Sequence, residues 1–258
     1  MNPLATIQSL WIGKQLSIME QLACASFLQN GHAFHLYVYN EVAGVPEEVV
    51  LKDADEIIPA NRIFKYKDHD SYAGFANLFR YKLLLEKGGY WVDADVVCLR
   101  PFPSAPDYIF ASELVRNSAR LMWKRPYQIA SCVIKTPIGS EIINYCYSET
   151  SKSDPAKLCW GETGPHLMTA AVLEFQMQSH VRPPYSFCPV NPWQWRQLLS
   201  GLGIGNSGMG AIARHSPYAV HLWHEQWRRH RIDKDTTFSS NSIYEQLKLR
   251  YLRDMKGC

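Results

Sequence analysis

Apolar positions along the first forty residues fall into two different rhythms. The run "IQSLWI" at 7–12 is apolar-rich, stops at Gly13 and predicts a first strand. A helical rhythm follows, with Ile18, Leu22, Ala25 and Leu28 on one stripe. Ser17 and Glu20 form a capping box at its start, and Asn30-Gly31 supplies its stop. In "HAFHLYVYN", Phe34, Leu36 and Val38 alternate with His35, Tyr37 and Tyr39, the period of a strand. Strand, helix and strand in such quick succession predict a βαβ unit, hence a mainly parallel sheet with helices on its faces.

The same logic predicts a second helix over 71–87, "SYAGFANLFRYKLLLEK", ended by Gly88-Gly89. Phe75, Phe79 and Leu83 form a core ridge, while Asn77, Arg80 and Leu84 make a stripe that is polar at its N-terminal end. The glycines lead into "YWVDADVVCL", read as one strand that carries two aspartates at its carboxyl end, where α/β sheets place ligands. Beyond it the pattern is less regular. Helical segments fall near 137–149 and 163–178, a proline-rich turn at 183–192, and a glycine-rich stretch at 201–210. The strand-like "YAVHLW" at 218–223 precedes a basic tail. With neither an internal repeat nor a linker, residues 1–258 are expected to form a single α/β domain.

Composition narrows the class only a little. A net charge of +3 over 258 residues, with cations scattered except at Arg228, Arg229 and Arg231, argues against a nucleic-acid partner. No apolar run reaches the roughly 18 residues of a membrane span. Lys14 and Glu20 interrupt the N-terminal apolar stretch, so no export signal is visible. Seven cysteines without a C-x-x-C pair suggest reduced thiols and a cytoplasmic setting.

The chemistry concentrates in one of three Asp-x-Asp triplets. Asp53-Ala54-Asp55 fits a solvated turn, and the Asp68–Asp70 triplet fits the lead-in to the second helix, with Asp70 or Ser71 as its cap. Only Asp93-Ala94-Asp95 is bracketed by apolar β-formers. On a strand, residues i and i+2 share a face, so the two carboxylates would aim at one point and repel unless they share a proton or a cation. A hard divalent ion resolves this, and its open positions could take diphosphate oxygens. A structural pair capping a turn is the competing reading.

"FANLFRYKLLLEKGGYWVDADVVCLRPF", residues 75–102, resembles the Asp-x-Asp sugar-binding region of glycosyltransferase family 32. That family includes the yeast initiating mannosyltransferase, bacterial polysaccharide sugar transferases and lactosylceramide galactosyltransferases. Further echoes are "LWIG" at 10–13, "GETGP" at 161–165 and "AVHLWHEQW" at 219–227. The resemblance implies a GT-A (Rossmann-like) fold, a mixed, mainly parallel sheet flanked by helices. Residues 1–110 would form the nucleotide-sugar half and 111–258 the acceptor half. It also implies a metal-dependent hexosyltransferase that retains the anomeric configuration, using Mn²⁺ or Mg²⁺. The donor would be a nucleotide sugar, UDP-linked by preference and GDP-mannose otherwise. The acceptor would be a glycan or lipid-linked glycan, with the basic tail touching the inner face of a membrane.

Carried over by position, Trp11 would stack on the base, with Ile12 and Gly13 beside it. Asn77 and Arg80 would reach the donor, and Asp93 and Asp95 would hold donor and metal as the catalytic pair. His221 would complete the metal site. Glu162, Thr163 and Trp223 would face the acceptor. The family's helix has Asp where this chain has Asn77. Taken alone, Trp11 fits a core tryptophan, Arg80 a surface ion pair, and Thr163 a helix cap before Pro165. His221 and His224 lack the companions of a zinc site. A glycoside hydrolase would use paired carboxylates across a glycosidic bond, which neighbouring aspartates on one face do not suit. A non-catalytic nucleotide-sugar or glycan-binding protein on the same fold is the remaining alternative.

Overall fold

Ser17 builds the first helix as its sequence requires. Its side chain accepts the Met19 N–H at 3.2 Å, while Glu20 reaches back to the Ser17 N–H at 2.9 Å. The computed structural model describes residues 4–67, 69–116, 127–201 and 208–253. Strand β1 (Ile7–Trp11), helix α1 (Ile18–Gln29) and strand β2 (Phe34–Val38) form the expected βαβ unit, β1 and β2 running parallel from Ile7 opposite Phe34 to Trp11 opposite Val38. A short strand, β3 (Val50–Asp53), adds to the edge of β2. It has no alternation to betray it, because Val50 and Leu51 are both exposed on that edge.

Helix α2 (Ala73–Lys87) ends at Gly88, whose φ is 61°, and a Cβ there would lie 2.7 Å from the Ile138 backbone nitrogen. Only glycine fits that close approach. The chain then enters β4 (Gly89–Val92), parallel to β1, and β5 (Val96–Cys98). β6 (Ile109–Leu114) and β7 (Tyr127–Thr136) are antiparallel, and β7 pairs with β4. The six-stranded sheet runs β3-β2-β1-β4-β7-β6, a mixed and mainly parallel order of the kind the resemblance implies.

Helices α3 (Glu141–Lys152) and α4 (Leu167–Glu174) join α2 on one sheet face. After α5 (Gly208–Ala213) come β8 (Ala219–His221), α6 (His224–Arg229) and α7 (Ile243–Tyr251). The last three pack with α1 on the other face. Strand residues divide by parity: Ile7, Tyr90 and Val92 face α1, while Leu10 and Trp91 face α2. Phe75, Phe79 and Leu83 are fully buried, each contributing about 1.5–3 kcal/mol relative to exposure.

Two expectations are corrected. The strand does not run through the aspartates: β4 stops at Val92, Asp93–Asp95 form a turn closed by Val96 N–H to Asp93 O at 3.0 Å, and β5 leaves to pair with β8. Thr163 does not cap a helix, since Glu162–His166 is a single π-type turn leading into α4, and its hydroxyl accepts the Asn77 amide instead. No helix among the described residues is long and apolar enough to cross a membrane. Of the glycine-rich stretch, residues 202–207 lie outside the described residues.

Candidate active site

The break in the strand creates the site. β4 delivers Asp93 at the carboxyl edge of the main sheet, and the β5–β8 pair sets Val96 opposite His221, one residue beyond Asp95. Backbone bonds fix both arms: Asp93 N–H donates to Cys132 O at 2.9 Å, and Leu222 N–H donates to Asp95 O at 2.9 Å. One ligand atom each from Asp93, Asp95 and His221 then lies within 4.8 Å of the others. The convergence expected from a shared strand face is achieved by a turn and a second strand pair.

The carboxylates are held differently. Asp93 Oδ1 accepts two bonds of 2.8 Å, from Arg80 Nη2 and from Trp91 Nε1. Arg80 is buried on α2, donates Nη1 to Ser131 O at 2.6 Å and lies 5.0 Å from the Trp91 ring centre. Asp95 Oδ2 accepts the His224 N–H at 2.8 Å and sits 3.2 Å from His221 Nε2. Burial pushes the Asp93 carboxyl above its usual range, against the pull of Arg80. Burial acts on Asp95 too, but His221 and the His224 N–H outweigh it and hold that carboxyl well below the ordinary value. His221 moves the other way: despite burial, Asp95 lifts it well above its ordinary value.

Two carboxylates and an imidazole are a fitting donor set for Mn²⁺ or Mg²⁺. Each carboxylate keeps acceptor capacity beyond the bonds described. They border a cavity of about 510 Å³, large enough for a nucleotide sugar, whose other walls include Trp11, Ile12, Asn77, Arg80 and Trp223.

Residues 20–115 match the family described as the glycosyltransferase sugar-binding region containing the DXD motif. The match spans less than half of the chain and includes both aspartates. The resemblance seen at residues 75–102 is thereby borne out, without distinguishing a subfamily. Among solved structures, the chain is similar to the PaToxG glycosyltransferase, at 14% identity over 98% of this chain and 89% of that one, with a TM-score of 0.43. It is also similar to the WbbM bifunctional glycosyltransferase, at 11% identity over 98% of this chain and 52% of that one, with a TM-score of 0.48. No curated protein matches significantly.

The DXD region supplies Asn77, Arg80, Asp93 and Asp95, and elements outside it supply Trp11 and His221. Trp11 closes over Gly13, where a Cβ would come within 3.0 Å of its Nε1, and that Nε1 is buried without an acceptor. Asn77 donates to Thr163 Oγ1 at 3.1 Å, so the amide that replaces the family's aspartate is tied to the "GETGP" turn. Thr163 and Glu162 do not line the cavity; Glu162 accepts the Cys159 N–H at 2.8 Å, and their neighbours Trp160, Gly161 and Pro165 form the wall. Trp223 packs against His221, ring centres 4.0 Å apart and planes tilted by 44°, and its Nε1–H donates to Val190 O. Arg228 and Arg229, of the basic cluster, both pair with Glu225 on α6.

Sequence reasoning missed Glu113, a cavity-lining carboxyl on β6 that burial pushes above its usual value while the Gln128 amide opposes. It missed Glu20 as well, whose capping role was read but which also lines the cavity and pairs with Lys234 at 2.6 Å. Apolar alternation around Glu113 and a long separation from Lys234 left neither visible in the sequence.

Proposed function

We propose that the protein is a metal-dependent glycosyltransferase that moves a hexose from a nucleotide sugar, UDP-linked by preference, to a hydroxyl of a glycan. The observation that carries this reading is the convergence of Asp93, Asp95 and His221 beside Trp11 in one cavity of nucleotide-sugar size. Asp93, Asp95 and His221 would hold Mn²⁺ or Mg²⁺, which when bound supplies charge neutralisation to a departing diphosphate. Arg80 and the Trp91 N–H hold Asp93 in place. The His224 N–H does the same for Asp95, so neither carboxylate must reorganise when the donor arrives. Trp11 covers the base. Retention of configuration is the expectation from family resemblance, with a diphosphate oxygen as acceptor of the hydroxyl proton.

The test is a panel of nucleotide sugars scored by thermal shift with and without Mn²⁺, followed by NMR of the product anomer. Stabilisation by a nucleotide sugar only when Mn²⁺ is present, and a product with the donor's anomeric configuration, are expected. Stabilisation independent of metal would remove the Asp-x-Asp corner from donor binding.

A further inference from the structure

Behind the acidic corner lies a second cluster of different chemistry. Cys132, on β7, and Cys188, after the 3-10 turn Pro184–Ser186, are buried with their sulfurs 3.7 Å apart. One ligand atom each from Cys132, Cys188 and His221 lies within 4.8 Å of the others. The backbone fixes all three: Cys132 O accepts Asp93 N–H, Cys188 N–H donates to Pro184 O at 2.8 Å, and His221 N–H donates to Phe187 O at 3.1 Å. His221 directs Nε2 at Asp95, while its Nδ1 is buried with no hydrogen-bond partner. A ring nitrogen without a well-formed hydrogen bond in the interior costs free energy, and the neighbouring group that interacts with the ring on this side is the Cys132 thiol.

The sulfur spacing is that of a thiol–thiol hydrogen bond, and it also suits a shared cation. A tetrahedral cation with metal–sulfur distances of about 2.3 Å sets its two sulfurs about 3.8 Å apart. A disulfide would need them about 1.6 Å closer than they stand. Cys132 also lines the cavity, which gives an ion a way in. Two thiols and an imidazole select a soft or borderline cation, whereas the carboxylates of the acidic corner select a hard one.

We propose that Cys132, Cys188 and His221 form a second metal site, for a thiophilic divalent cation of the Zn²⁺ class. Binding replaces the two thiol protons, and the Nδ1 proton where the His221 ring is protonated, by two metal–sulfur bonds and one metal–nitrogen bond, and the protons pass to solvent. His221 completes the ligand set through Nδ1, and a fourth position opens on the cavity. The site shares His221 with the acidic corner, through the opposite ring nitrogen, while its sulfurs are not needed by donor or acceptor.

Co²⁺ serves as the probe. The reduced full-length protein, titrated with Co²⁺ alone, should show thiolate-to-cobalt charge-transfer absorption saturating at one equivalent and displaced by Zn²⁺. Cys132→Ser and Cys188→Ser should each lose most of that absorption and weaken binding at least tenfold. Cys159→Ser, at an exposed thiol, and the double variant Asp93→Asn/Asp95→Asn should keep it. The double variant also separates this site from the acidic corner. A second measurement needs no variant: Zn²⁺ should protect Cys132 and Cys188 from alkylation in the wild-type protein, read by peptide mass. Absence of the charge-transfer band, its persistence in both serine variants, or unaltered alkylation of the two thiols would overturn the proposal.

Discussion

Asp95 and His221 are joined twice, by a 3.2 Å approach of Oδ2 to Nε2 and by the Leu222 N–H bond to the Asp95 carbonyl beside it. The nitrogen that bears the proton in this pair is the one facing the carboxylates, so a proton and a metal ion compete for it. The lowered carboxyl of Asp95 stabilises the fold above its unfolded value, and that contribution is lost as pH falls through the folded one. The raised imidazole of His221 stabilises below its unfolded value of about 6.5, and that contribution is lost as pH rises through the folded one. For these two groups, the metal-free protein should therefore melt highest between their unfolded values, from about pH 4 to about pH 6.5.

Mn²⁺ should bind more tightly as pH rises, because each ion bound releases the His221 proton. While the ring remains protonated, the Mn²⁺ concentration giving a half-maximal thermal shift should fall by about tenfold per pH unit. Titrations at pH values below and above neutrality check this. A midpoint that does not move with pH would remove His221 from the ligand set.

Arg80, itself buried, holds a partly buried carboxylate that has no other cation in hydrogen-bonding contact among the described residues. Arg80→Ala should destabilise the fold by about 3 kcal/mol, the usual cost of leaving one partner of a buried pair alone. For a chain of this size that lowers the melting temperature by roughly 6–12 °C. Much of the loss should be recovered at acid pH, where Asp93 is neutral. A pH-independent loss would mean that Arg80 acts by packing on Trp91 alone.

Asn77 and Thr163 form a bond that ties α2 to the turn beside the cavity. Asn77→Ala and Thr163→Val should each cost about 1 kcal/mol, and the double variant should cost clearly less than the sum. Chemical denaturation of the four proteins measures the coupling. Simple additivity would show that the pair is not coupled, and would return Asn77 to the role of a donor contact only.

The local elements were legible because their signals are local. Ser17 with Glu20, the Phe75–Phe79–Leu83 ridge and the Gly88-Gly89 stop each act within a few residues. The acidic corner was legible as a composition of residues and illegible as a geometry. Asp93 and Asp95 read as one strand because apolar residues flank them on both sides, but the flanking segments belong to two different sheets. That switch is decided by β8, far along the chain, which no periodicity around Asp93 can reveal. His221 was reached through family resemblance, since its spacing says nothing. Cys132 and Cys188 look like ordinary core thiols in sequence, and only the closing of β7 against the 184–188 segment brings them together.

Trp11 offers the last test, because its surroundings suit a ligand better than a core. Its indole N–H is buried without an acceptor, the Lys234 ammonium stands 5.3 Å from its ring centre, and Lys234 is itself paired with Glu20. A base stacked on the ring is worth about 1–3 kcal/mol, so Trp11→Leu should weaken nucleoside diphosphate binding in the presence of Mn²⁺ by roughly tenfold. Binding should also quench emission in the wild type and lose most of that quench in the variant; with eight tryptophans in the chain, the difference between the two is the quantity to read. Gly13→Ala approaches the same contact from below, since its Cβ would press on the indole at 3.0 Å and displace the ring without removing it. It should weaken binding while leaving the far-UV circular dichroism unchanged. Equal quenching in the wild type and Trp11→Leu, with affinity intact in both variants, would place the base on another wall of the cavity.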